Sequence, residues 1–122
     1  MTLLQDAPST WASSLPAATL LVVALPADPH LQDAAEHAVR RETRSEDHVS
    51  RPSAHELAVL LTVPAADLDA VADRLLQVVE RATGRPSAAG VCAAGRTDAL
   101  GLARAGLAVA WACGGSRAVR HP

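Results

Sequence analysis

The sequence predicts a two-layer α/β domain, an α+β arrangement whose elements run β-α-β-β-α-β-α-β around a central, mainly antiparallel sheet. Three observations carry this. A continuous apolar run, Thr19–Leu25, is too short for a helix and stops at Pro26, which suits a strand buried on both faces. Two stretches, one after Asp28-Pro29 and one after Asp67, repeat apolar residues at helical spacing. Between them, charge gives way to β-branched and apolar residues on either side of Pro52 and Ser53, the pattern of a hairpin.

A chain of 122 residues with 49% hydrophobic content is the size of one ordinary domain with a core of its own. Aromatics make up only 2%, with Trp11 and Trp111 alone, so the core must be Leu, Val and Ala packed with close backbones. All eleven basic residues are Arg, a sign of GC-rich coding. A net charge of −2 and the scarcity of aromatics argue against a nucleic-acid surface, which needs a basic face and stacking platforms. The start lacks the basic and apolar regions of a secretion signal, and no stretch reaches the roughly 18 apolar residues of a membrane span, so a cytoplasmic protein is expected. Cys92 and Cys113 form no C-x-x-C and read as reduced, mostly buried thiols.

Residues 1–17 carry Pro8, Ser9, Thr10, Ser13, Ser14 and Pro16 without a period and read as a leader or mobile arm, with Trp11 available to dock it to the domain formed by 18–122. After the first strand, Asp28 is an N-cap and Pro29 sits at the first helical position, where its missing N–H costs nothing. Leu31, Ala34, Ala35, Ala38 and Val39 form the inner stripe of that helix, while Gln32, Asp33, Glu36, Arg40 and Arg41 cover the other side until it ends near Thr43–Ser45. Asp47–Arg51 and Glu56–Val63 are the hairpin strands. Asp67 caps a second helix with the stripe Leu68, Val71, Ala72, Leu75, Val78 and Val79, closed before Gly84. Pro86–Ala94 is a strand of small residues. Thr97 or Asp98 caps a third helix closed by Gly114 and Gly115; inside it Gly101 and Gly106 mark close packing on the sheet, and Arg117–Arg120 is a last short strand. The order is a ferredoxin-like split βαβ core with an added helix and strand.

Several motifs fit one family. Ser53-Ala54-His55-Glu56-Leu57 resembles a heavily altered Gly-Gly-Asp-Glu-Phe turn, the signature of the GGDEF (diguanylate cyclase) family. Arg44-Ser-Glu-Asp47 stands where that family keeps its Arg-x-x-Asp motif. Ala89-Gly-Val-Cys-Ala, the helix 67–81 and Gly115-Ser-Arg117-Ala-Val119 match further pieces in the right order. The resemblance covers 19–121 and implies the nucleotidyl cyclase palm.

The departures from the family pattern imply that cyclase activity is absent. Where the family ends its first strand in a metal-binding Asp-x-Asp, this chain has Ala24-Leu25-Pro26, which offers no side-chain oxygen to a hard cation. The signature glycines have become Ser53 and Ala54, the metal acid His55, and only Glu56 remains. The guanine-selecting segment is missing, and the phosphate lysine falls near Ala112 or Cys113. Phosphoryl transfer rests on positioning and charge neutralisation, so no catalyst is left. What is kept is Arg44 and Asp47, which by the resemblance form a site for cyclic di-GMP, with Arg74 of the second helix joining them. The resemblance thus implies a regulatory domain without cofactor or metal, either a cyclic di-GMP receptor or a scaffold that pairs with a protein partner or a second copy.

Other patterns fall to simpler accounts. His55-Glu56 starts like the His-Glu-x-x-His of zinc proteases, but position 59 is Val. His30, Asp33 and His37 share the first helix without a further ligand and read as a solvated face.

Overall fold

The computed structural model describes residues 17–120. The predicted leader therefore lies outside the described residues except for Ala17, which opens the first strand. The elements are β1 (Ala17–Ala24), α1 (Pro29–Glu42), β2 (His48–Ser53), β3 (Glu56–Val63), a 3-10 turn (Ala65–Asp67), α2 (Leu68–Thr83), β4 (Ala89–Ala93), α3 (Ala99–Ala112) and β5 (Ala118–Arg120). They form one five-stranded sheet in the order β2-β3-β1-β4-β5, antiparallel at every step except the parallel β4–β5 pair. The predicted α+β order is the one found.

β1 is the centre, as its unbroken apolar run requires: Leu21, Val22 and Val23 are fully buried. Its Leu21 and Val23, with Leu57, Val59 and Leu61 of β3, meet Ala35 and Val39 of α1 and Leu75 and Val79 of α2 in the larger core. Its even-numbered side packs Val22 with Ala58, Cys92 and, from α3, Ala103, Leu107 and Ala110. Thus α1 and α2 complete the two-layer core, and the added helix α3 lies on the opposite face.

α3 approaches that closely because of two glycines. A Cβ on Gly90 of β4 would fall 1.7 Å from the Ala103 carbonyl oxygen, and one on Gly106 would fall 2.8 Å from that of Val119. Gly106 thus marks close packing, as expected. Gly101 does not: the space beside it is filled by the Asp98 carboxylate, so the expectation of sheet packing is corrected there.

Caps and boundaries show where local signals sufficed. Asp28 accepts a hydrogen bond from the His30 N–H at 2.9 Å, and Gly84 closes α2 in the left-handed region at φ 67°. Asp67 and Asp98 make no side-chain cap bond, because a 3-10 turn already leads into α2 and because the Asp98 backbone, not its carboxylate, engages α3. The strand predicted from Asp47 begins at His48 and extends through Pro52 to Ser53, Asp47 being drawn into a turn. The strands predicted over 86–94 and 117–120 are shorter, at 89–93 and 118–120.

Three burial expectations are overturned. Gln32 is buried rather than outward, because its amide donates to the Pro26 carbonyl at 2.7 Å and its Oε1 accepts from Arg51 at 2.9 Å; Ala34 turns outward instead. Cys92 is buried as expected, but Cys113, past the end of α3, is exposed.

Candidate functional site

Arg44, Asp47 and Arg74 come from two places in the chain and line one cleft. The turn from α1 into β2 delivers both Arg44 and Asp47, and the outer side of α2 delivers Arg74; Glu42, Thr43, Leu61, Val63, Val71 and Leu75 complete the lining. The cleft is small, about 30 Å³, far below the few hundred Å³ of a drug-sized ligand site. Its guanidiniums are lightly engaged. Arg44 reaches Glu46, and Arg74 reaches Glu42, each only at 4.0 Å, and their side chains are 71% and 62% exposed.

Asp47 is held more firmly. The Arg44 N–H donates to its Oδ2 at 3.0 Å, and the Thr62 N–H of β3 donates to its Oδ1 at 3.2 Å. A backbone bond from the Asp47 N–H to the Arg44 carbonyl, at 3.0 Å, closes the turn. The carboxylate therefore ties the α1–β2 connection to the sheet. Each of its oxygens keeps a lone pair beyond those bonds, so it can still accept from a ligand. Two forked donors and one acceptor around a shallow cleft suit the edge of a flat ligand that has both acceptors and donors.

The altered signature turn lies elsewhere, at the β2–β3 hairpin beside the end of β1. Glu56 pairs in register with Ala24, and the Leu25 N–H donates to the His55 carbonyl at 2.7 Å. The His55 N–H donates to Ser53 Oγ at 3.3 Å, and Ser53, Ala54 and His55 are exposed while Leu57 is fully buried in the core. Glu56 is engaged by a residue that the sequence did not single out: Arg104 of α3 donates from Nε to Oε2 at 2.8 Å and from Nη2 to Oε1 at 2.7 Å. Those bonds hold the Glu56 carboxyl below the usual carboxylate range, against the opposing effect of burial. Arg104 had one legible signal, being the sole charged residue in Ala99–Ala112.

A divalent cation, which the cyclase palm implies at this hairpin, does not fit the residues present. Both Glu56 oxygens are taken by a guanidinium, Ala24 and Leu25 supply no side-chain oxygen, and among the described residues no three His, Cys, Asp or Glu side chains gather as a metal site. His30 and His37 accordingly stand without a ligand cluster. No described helix is long and apolar enough to cross a membrane.

No family model matches the chain, and no curated protein does. Solved structures do. The active GGEEF domain of a diguanylate cyclase from Vibrio cholerae superposes with a TM-score of 0.73 at 10% identity, over 97% of this chain and 89% of that one. The GGDEF domain of DgcB from Caulobacter crescentus, in complex with c-di-GMP, gives 0.65 at 12%, over 96% and 86%. The diguanylate cyclase SiaD from Pseudomonas aeruginosa, in complex with its activator SiaC, gives 0.65 at 18%, over 98% of this chain and 56% of that one. At such identities the likeness shows the fold: this chain has the architecture of the GGDEF cyclase palm.

Proposed function

We propose that the chain is a catalytically inactive regulatory domain on a GGDEF-like fold, and that it binds cyclic di-GMP through Arg44, Asp47 and Arg74. The observation that carries this reading is the convergence of those three side chains on one cleft with both guanidiniums free to turn toward a ligand. An Arg fork donates to guanine O6 and N7, and a carboxylate accepts from the guanine N1–H and exocyclic amine, so this set reads guanine and not adenine. The DgcB domain of the same fold is known with this dinucleotide bound. Inactivity is supported by the Glu56–Arg104 pair, which replaces cation by guanidinium where phosphoryl transfer would need metal.

Calorimetric titration with cyclic di-GMP, with GTP plus magnesium in parallel, tests the reading. Saturable binding of the dinucleotide that Arg44→Ala abolishes, and no turnover of GTP, is the expected result. Dinucleotide affinity unchanged in Arg44→Ala would remove the receptor reading, and cyclic product from GTP would remove inactivity. A second reading, a protein-interaction or dimerisation scaffold, is favoured by Val109 and Trp111, which stand 49% and 46% exposed on α3. Absence of heat from either ligand, with association in sedimentation, would select it.

A further inference from the structure

The cleft is too small and too nearly neutral to hold a whole cyclic dinucleotide. Two guanidiniums, Arg44 and Arg74, and two carboxylates, Glu42 and Asp47, line it, leaving no surplus positive charge for two phosphodiester anions. Room and charge lie next door. Between α1 and α2 runs an open groove of about 450 Å³ lined by Ala38, Arg41, Glu42, Val78, Arg81 and Ala82, a volume in the range of small-molecule sites. Glu42 belongs to both linings, so groove and cleft are neighbours. Arg41 and Arg81 flank an apolar floor from opposite helices, and neither makes an ion pair with any described residue.

We infer that this groove is the phosphodiester subsite of the ligand, in which Arg41 and Arg81 neutralise the dinucleotide's phosphates while Ala38, Val78 and Ala82 underlie the part of it that the cleft cannot hold. The inference rests on the receptor reading above and adds residues to it. An exposed arginine without a partner is a charge kept in water at no structural gain, whereas a phosphate oxygen supplies the acceptor that its fork lacks. Arg41 and Arg81 outnumber Glu42, the one carboxylate in the groove's lining, so the groove keeps a surplus of positive charge.

The experiment is calorimetric titration of the full chain with cyclic di-GMP at low and high salt, for wild type, Arg41→Gln, Arg81→Gln, the double variant and Arg44→Ala, each checked by circular dichroism. All three arginines are exposed, so the variants are expected to fold. Arg41→Gln and Arg81→Gln should each weaken binding about tenfold, and the double variant should lose much of the salt dependence, because fewer phosphate contacts release fewer ions. Arg44→Ala should abolish binding altogether. A double variant with wild-type affinity and salt dependence, beside a dead Arg44→Ala, would overturn the groove subsite and leave the receptor reading standing. No binding by wild type would overturn both.

Discussion

At the scale of single residues, Asp47 and Arg44 must be told apart before any loss of binding is interpreted. Asp47 accepts two backbone N–H groups, so Asp47→Ala orphans donors in the α1–β2 turn and on β3 and should cost about 1–2 kcal/mol of stability in urea denaturation. The Arg44 side chain is 71% exposed, so Arg44→Ala should change stability by less than about 0.5 kcal/mol. An Arg44→Ala variant as destabilised as Asp47→Ala would show that the arginine serves the turn and not a ligand. Glu56 gives a pH prediction. Arg104's hydrogen bonds lower the carboxyl's folded pKa, so the unfolded chain binds the proton more readily. The pair's stabilisation is thus present above the ordinary Glu pKa and is lost as pH falls through the depressed folded value. Urea midpoints measured from neutral pH downward should fall less steeply in Glu56→Gln than in wild type; parallel curves would show that the pair does not couple folding to this proton.

At the scale of elements, the seam between β4 and α3 leaves no room for a side chain at Gly90. The Cβ of Gly90→Ala would overlap the Ala103 carbonyl, which is helix backbone and cannot swing aside, so this one methyl should cost at least about 3 kcal/mol or prevent folding. Gly95→Ala meets nothing within 4 Å and should stay within about 0.5 kcal/mol in the same thermal melts, which makes it the control. A Gly90→Ala protein as stable as Gly95→Ala would mean that α3 does not lie on the sheet as described. The elements themselves were legible wherever the signal is local: the apolar run of β1, the Asp28-Pro29 start of α1 and the stripe of α2 each depend on neighbours within a few residues. The orientation of α3 was not, because a helix apolar nearly all round has no face to declare, and Leu76 of α2 is buried although the stripe omitted it. Gln32 was misplaced for a related reason: polarity predicts exposure only until a carbonyl and an arginine from elsewhere satisfy the amide.

At the scale of the whole molecule, the residues of the candidate cleft were found through their order along the chain, but their surroundings were not. The bond from Thr62 to Asp47 and the ion pair from Arg104 to Glu56 join distant parts of the sequence, and no spacing rule connects them. The second of these decides how the protein should respond to metal. A cation site at the hairpin with a dissociation constant of about 1 mM would add about 1.4 kcal/mol at about 10 mM magnesium, a rise of several degrees in the melting midpoint of a domain this size. With both Glu56 oxygens held by Arg104 and no three His, Cys, Asp or Glu side chains gathered into a metal site among the described residues, no such rise is expected, and melting curves in magnesium and in chelator should coincide. A saturable upward shift with magnesium that Glu56→Gln removes would show instead that the guanidinium yields its place to a cation, and the inactivity proposed from that pair would fall with it.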